Sequence, residues 1–418
     1  MTAPAFGRAT VVGAGLAGLS AAVRLRETGV AVTVADGAAQ AGGRCRSYHD
    51  PQLGLVIDNG NHLVLSGNAA VARFRRTVGA PADTLTGPDE AAFAFADLAS
   101  GARWTVRPNA GPIPWWLLAP SRRAPGSRAR DYLALARLAR ARPDETIGDR
   151  LAPAGPAWER LLHPVLLAAL NTDPAASSAR LAWAVLRETV ARGGRAMRPL
   201  VAQPTLAAAF VAPAVAWLAG RGAPVALGRR LRSLGFAGDR VTALHWADGA
   251  QPVAADEAVV LATPAPVAAS LVPDLAAPTA FRAIVNAHFA VPPPPGAPPL
   301  LGLVNATAEW LFAFPDRVSV TVSAADRLLD TDREALARTF WAEICRAYGR
   351  DAPMPAWQIV KEKRATFAAT PEQDAHRPAA ATRWRNLFLA GDWTRTGLPA
   401  TIEGALRSGE TAARLVAN

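Results

Sequence analysis

Residues 9 to 36 read ATVVGAGLAGLSAAVRLRETGVAVTVAD, and this stretch constrains the fold more than any other. An apolar strand ends at Val12 and runs into Gly13, Gly15 and Gly18, spaced G-x-G-x-x-G at the start of a helix whose apolar face is Leu19, Ala22, Val23 and Leu25. Gly29 ends that helix, a second strand runs from Val30, and Asp36 closes it 18 residues after the last glycine. The pattern is that of a parallel βαβ unit. Gly13 permits the tight turn, Gly15 lets the backbone approach a pyrophosphate, and Gly18 lets helix and strand pack closely. Around them Ala14, Leu16 and Ala17 place main-chain N–H groups at a helix N-terminus, whose positive dipole end favours phosphate. Asp36 is set to take the hydroxyls of an adenosine ribose, and an acid there argues for a ribose without a 2′-phosphate. A plain glycine-rich turn is the competing reading; strand, helix, second strand and terminal acid all falling at the right spacing weigh against it.

Two further segments favour FAD over NAD. Gly42, Gly43 and Arg44 follow the second strand and put another glycine turn and a guanidinium beside the same pyrophosphate, a bidentate task that suits arginine. Near the C-terminus, LFLAGDWTRTGLPATIEGALRSGET places Gly391 and Asp392 at the end of a strand, with the acid positioned for the ribityl chain of a flavin. Thr401 and Ile402 then open a helix that points its N-terminus at the ring, where the dipole stabilises the negative charge of reduced flavin. An ordinary strand and helix is the alternative there. Between these ends, β-rich sequence around residues 224 to 264 reads as strands returning to the cofactor, with the backbone near Leu231 as neighbour of the adenine. The expected fold is α/β: a discontinuous Rossmann-like FAD-binding domain (1–75, 206–277 and 371–418) with an inserted α+β substrate domain (76–205 and 278–370).

Composition bounds the rest. The chain has 418 residues, 50% of them hydrophobic, and a mean hydropathy of +0.11, which suits a globule with a sizeable core. With no basic head and apolar run at its start, and no apolar stretch of the roughly 18 to 20 residues a spanning helix needs, the expected location is the cytoplasm. Cys45 and Cys345 show no metal-ligand spacing, so no metal is expected. The net charge is +11, and all but two of the 45 basic residues are arginine, the exceptions being Lys361 and Lys363. GC-rich coding explains such a skew without function; an anionic partner surface is the other reading. No zinc-finger spacing, helix-turn-helix signature or stacking motif points to nucleic acid. A membrane is the better version of that partner, because IPWWLLAPSRRAPGSRARDYLALARLARAR, residues 113 to 142, joins Trp115 and Trp116 to a helix with Leu133, Leu135, Leu138 and many arginines. Such helices lie at an anionic interface, which would make the protein peripheral on the inner membrane face; a buried helix with a solvated basic face is the competitor.

Taken together, VVGAGLAGLSAA, GGRCRS, DNGNHLVLSGN, VKEKRATFAATPE and LAGDWTRTGLPATIEGALRSG resemble the hydroxysqualene dehydroxylase family, squalene-associated flavoenzymes of bacterial hopanoid synthesis within the amine oxidase and phytoene desaturase superfamily. The resemblance covers nearly the whole chain. Its first and last motifs are shared across the superfamily, whereas DNGNHL, EKRATF and GDWTRTGLPATIEGA discriminate. It implies noncovalent FAD, a long apolar triterpene substrate (hydroxysqualene), loss of the allylic hydroxyl to give squalene, and an external reductant the sequence does not name. It also implies that the loop after the glycine-arginine turn passes over the reactive face of the flavin, bringing Gly60, Asn61 and His62 there. His62 is then the natural acid near neutral pH, with Asp58 to orient it or tune its pKa. The bland alternative is that Asp58, Asn59 and Asn61 only shape a turn and His62 is an ordinary loop histidine. Many members carry Gln where this chain has Asn61, so an amide is kept. Lys361 and Lys363 are expected to be salt-bridged structural charges on a strand with one wet face, and Trp393 to line an apolar tunnel. The rivals are a carotenoid-type desaturase, a flavin amine oxidase, and a non-catalytic prenyl-lipid binder on the same fold.

Overall fold

The structure is a computed structural model that describes residues 5–418. Strand Arg8–Val12 is the centre of a parallel five-stranded sheet with the spatial order Val225–Ala226, Ala31–Ala35, Arg8–Val12, Glu257–Leu261, Leu387–Leu389. Helices cover such a sheet on its faces, so its inner strands run apolar throughout, as Ala258 to Leu261 do with no exposed surface. Helix Leu16–Glu27 packs on the sheet and against the C-terminal helix Ile402–Ala417. The two helices touch at Gly409, where a Cβ would stand 2.2 Å from the Ala17 carbonyl oxygen. Both ends of the chain thereby meet on one side of the sheet.

A second sheet has seven strands in the order Trp357–Phe367, Phe281–Phe289, Val318–Val322, Trp310–Ala313, Leu300–Val304, Phe93–Asp97, Arg103–Val106. Side chains alternate across its faces. Val318, Val320, Val322 and Leu311 pack with Phe340 and Ile344 of helix Arg333–Tyr348. The other face carries Asn286 opposite Thr321, His288 opposite Ser319, and Trp310 and Phe312 opposite the same two residues from the far side. A small sheet of Leu63–Leu65, Pro199–Ala202 and Leu85–Thr86 ties the loop after residue 58 to the segment before residue 206. We propose that the two large sheets define a cofactor domain and a substrate domain.

Of residues 113 to 142, the part with Leu133, Leu135 and Leu138 is helical as expected, but Leu135 and Leu138 are buried and only Leu133 is exposed. Pro114, Pro120 and Pro125 cut the segment, since proline removes a donor and clashes with the preceding turn, and what forms is 3₁₀ turns at Trp115–Leu118 and Pro120–Arg122, then a short helix Ala129–Leu133 running into a 3₁₀ stretch to Arg140. Among the described residues no helix is long and apolar enough to cross a membrane.

Candidate functional site

The glycine turn at the end of the first strand has the geometry a pyrophosphate cradle needs. Gly13 has φ +111°, and a Cβ there would lie 2.5 Å from the Ala262 carbonyl oxygen. At Gly18 a Cβ would lie 1.8 Å from the Gly13 carbonyl oxygen, so the helix and the turn allow no side chain. Gly15 is different. Its φ of −71° is open to any residue, and a Cβ would meet nothing within 4 Å. The protein itself therefore does not need glycine at 15; a ligand approaching the backbone does. Gly15 also caps its helix without a side-chain acceptor, which leaves the first-turn N–H groups around Leu16 and Ala17 to an anion. The second turn docks on the first: the Gly42 N–H donates to the Ala14 carbonyl at 2.8 Å, and Gly42 and Gly43 both have positive φ.

Asp36 accepts from the Ala14 N–H at 2.7 Å and the Ala38 N–H at 2.8 Å, which holds its carboxylate at the strand end. The strand that begins at Leu231 passes alongside, its preceding turn fixed by bonds from Gly228 N–H to the Ala38 carbonyl and from Arg229 N–H to the Asp36 carbonyl. Leu231 itself packs its side chain with Val12 and Ala35.

At the other end of the crevice, Arg44 donates to Asp392 at 2.7 Å and to the Ala365 carbonyl at 2.5 Å. Three distant segments are joined by this one guanidinium. Asp392 is buried, following Gly391 at the end of strand Leu387–Leu389, and Thr401 caps the last helix by accepting from the Gly404 N–H at 3.0 Å. Ile402 is buried beneath that cap. His62 faces the same pair: burial, and then the Arg44 charge, push it down to about 4, while Asp392 pulls the other way. The ring lies deep among protein atoms yet keeps some accessible surface, as a group lining an interior cleft does.

Asp58 does not orient His62. It accepts from the Ser47 hydroxyl at 2.5 Å and the Leu206 N–H at 2.9 Å, and burial pushes it up to about 6 despite those bonds and nearby Arg317. It therefore anchors the loop rather than serving the histidine. Asn59 likewise bonds Arg46 and Glu362, and Gly60 lies over Asn286, whose amide nitrogen would be 3.1 Å from a Cβ there.

Residues 16–417 match the family of flavin containing amine oxidoreductases. Over 407 residues the chain is 54% identical to the hydroxysqualene dehydroxylase of Rhodopseudomonas palustris, covering 97% of each protein. The chain belongs to the hydroxysqualene dehydroxylase family. Proteins of that name from Sinorhizobium fredii and Zymomonas mobilis are 51% and 46% identical, again across 97% of this chain. By contrast a 15-cis-phytoene desaturase from Synechococcus elongatus matches only 24% of the chain at 32% identity, which does not favour the desaturase alternative. Among solved structures, a putrescine oxidase double mutant aligns at TM-score 0.72 with 15% identity, covering 98% of this chain and 99% of its own. Cyclohexylamine oxidase from Brevibacterium oxydans aligns at 0.68 with 17% identity and 99% of each chain. These share the fold.

FAD is thus the cofactor of this hydroxysqualene dehydroxylase family member, and the cradle at Gly13, Gly15 and Gly18, Asp36, Arg44 and Asp392 fits it. Thr263 adds to that fit. It follows strand Glu257–Leu261 at the edge where Gly13 turns, and its buried hydroxyl has no partner in the protein. Its only signal in the sequence is the Ala262-Thr263-Pro264 triplet that follows a buried strand. Trp393 does not line a tunnel: it is buried under the turn, its indole N–H donating to the Thr263 carbonyl at 2.9 Å. Lys361 is not ion-paired but donates to the Leu329 and Thr331 carbonyls, fixing the entry to helix Arg333–Tyr348.

His288, unremarked in the sequence, sits fully buried with Nδ1 2.8 Å from the Ser319 hydroxyl. Burial first, and Arg317 second, push it down to about 3, against the approach of the Asp58 main chain and Asp50. The unfolded chain then takes up this proton before the folded one does. The stability it secures is complete above about pH 6.5 and is lost as pH falls toward 3, on the order of 3 kcal/mol by pH 4. Asp58, whose pKa is raised, opposes this by taking a proton in the fold as pH drops through 6. His288→Gln is expected to lose less Tm than the parent between pH 6.5 and 4 in a thermal melt series. Parallel curves would show that His288 is not the acid-sensitive group.

Proposed function

We propose that this protein uses FAD to remove the allylic hydroxyl of hydroxysqualene, giving squalene and water. The observation that carries this is near full-length identity of 54%, 51% and 46% with three hydroxysqualene dehydroxylases. Reduced flavin supplies the hydride when bound. The chain's own residues bind and orient: Asp36, the two glycine turns and Thr401 hold the cofactor, and Arg44 with Asp392 closes the cleft beside His62. His62, which burial keeps neutral near pH 7, is not the protonated acid expected from the sequence; it passes its N–H proton to the leaving hydroxyl as its other nitrogen takes one up from solvent, since a neutral imidazole donates at one nitrogen and accepts at the other.

The decisive experiment is anaerobic. The purified flavoprotein is reduced chemically and mixed with hydroxysqualene, and flavin reoxidation is followed alongside squalene. One squalene per flavin reoxidised supports the reading. Bound flavin that stays reduced, with no squalene formed, sinks it.

The substrate is a long, sparingly soluble triterpene alcohol, and we propose that the protein meets an anionic bilayer through the 113–133 surface. Ile113, Leu118 and Leu133 are 75%, 76% and 63% exposed, and Trp115 is half exposed with the Arg122 guanidinium stacked 4.9 Å from its ring. Trp116, expected to share this role, instead packs edge-on against Tyr132 in the core. Replacing Ile113, Trp115, Leu118 and Leu133 together by serine is expected to cut co-sedimentation with anionic vesicles roughly tenfold or more, because apolar insertion and basic charge act together. Equal sedimentation of the two proteins would end the proposal.

A further inference from the structure

Asn61, on the loop that carries His62, interlocks with two side chains of the large sheet beneath it, Asn286 and Thr321. Asn61 reaches down to donate from Nδ2 to the Val320 carbonyl at 3.3 Å and to Thr321 Oγ1 at 3.1 Å. The Thr321 hydroxyl donates to Asn286 Oδ1 at 2.8 Å, and the Asn61 main-chain N–H donates to the same oxygen at 3.4 Å.

Two of these partners decide which way each amide points. A carbonyl only accepts, so Asn61 must turn its nitrogen to Val320. A main-chain N–H only donates, so Asn286 must turn its oxygen to Asn61. What remains is one acceptor, Asn61 Oδ1, and one donor, Asn286 Nδ2, each buried without a partner. The two residues are 9% and 1% exposed. Buried amide groups are almost always satisfied, by protein, ordered water or ligand, so an unpaired donor and acceptor from neighbouring residues of one cluster mark a place for a small hydroxylic group, a water or an alcohol. Asn286 Nδ2 lies directly beneath Gly60, two residues before His62.

An alcohol is the group that such a pair matches: its hydrogen is donated to the Asn61 oxygen, and its lone pairs accept from the Asn286 nitrogen. A carboxylate leaves the acceptor unmet, and a hydrocarbon leaves both unmet. We propose that Asn61 and Asn286 form the subsite that receives the substrate hydroxyl, with Thr321 as the positioning residue that locks both amides. This rests on the proposed function. The same sheet face turns aromatic beside the cluster, where Trp310 stands opposite Thr321 and Phe312 opposite Ser319, both packed in an apolar core that keeps the surroundings of the amides dry. Squalene, having lost its oxygen, leaves both amides unpartnered again, so the subsite prefers substrate to product.

The test is binding to the oxidised, FAD-loaded protein, where no turnover occurs. Hydroxysqualene and squalene in the same detergent are titrated against perturbation of the flavin absorbance. Asn286→Ala is expected to weaken hydroxysqualene roughly tenfold, the scale of one or two net hydrogen bonds, and to leave squalene unchanged within about twofold. Asn286→Asp keeps an oxygen for Thr321 and Asn61 while removing the free donor, and gives the same selective loss if the alanine variant does not fold. Thr321→Val is expected to lower the ratio of the two affinities without loss of flavin. Equal weakening of both ligands, or of neither, overturns the subsite. A wild-type protein that binds neither ligand overturns the functional reading itself, and the subsite with it.

Discussion

Gly18→Ala is expected to purify colourless. Its Cβ would stand 1.8 Å from the Gly13 carbonyl oxygen, a main-chain atom of a turn that already has φ +111° and is backed by Ala262. Neither neighbour can give, so helix Leu16–Glu27 must move off the sheet by more than an ångström, and the N–H groups of its first turn move with it. The ratio of flavin to protein absorbance should fall to near zero, and Tm should fall too, because the same shift opens the contact between this helix and the C-terminal one. Gly15→Ala separates the two effects. Its Cβ meets nothing within 4 Å and its φ is ordinary, so the chain should fold with nearly the parent Tm and still hold flavin on the order of 100-fold more weakly. If Gly15→Ala retains FAD at parent affinity, the pyrophosphate does not lie where the turn points.

His62→Ala is expected to keep its flavin and slow single-turnover squalene formation by about 10²- to 10⁴-fold, the usual worth of a positioned proton-transfer group. The pH dependence sharpens this. The free protein holds His62 at about 4 through burial and the Arg44 charge, so the imidazole is neutral throughout pH 6 to 8. Activity governed by the free protein should then show no limb from His62 near pH 6.5, only one near 4, and that limb should vanish in the variant. A limb near 6.5 that disappears with His62 would mean that the ring carries charge at neutral pH. Unchanged turnover in the variant would remove the residue from the mechanism.

The glycine turn was legible because glycine answers to backbone geometry, and geometry leaves a spacing in the sequence: Gly13, Gly15, Gly18 and Asp36 are local to one βαβ unit. Arg44 and Asp392 were also visible singly, but their ion pair spans 348 positions and only the folded chain shows it. Asp58 misled because nearness in sequence suggested His62 as its partner, whereas the turn points the carboxylate back to Ser47 and Leu206. Trp116 and Trp393 were assigned by residue type to wet or open surfaces; both proved to be core, since indole burial is decided by packing across elements. Asn286, Thr321 and His288 carried no local signal at all. They are polar residues alternating with apolar ones on strands, and FRAIVNAHF reads as any half-buried strand until the loop from residue 58 is laid across it.

The order in which the parallel sheet collects its strands bears on how the protein is made. Its last strand, Leu387–Leu389, and the helix Ile402–Ala417 that packs beside Leu16–Glu27 leave the ribosome long after the strand and helix they join. Until then strand Glu257–Leu261 has an open edge and the first helix lacks its mate. The nascent chain thus carries an apolar, unpaired border through most of its synthesis, the condition under which chains aggregate or recruit chaperones. If Asp392 and Thr401 hold the flavin as proposed, its capture is a late event, and products of early termination should stay colourless whatever the state of their glycine turns.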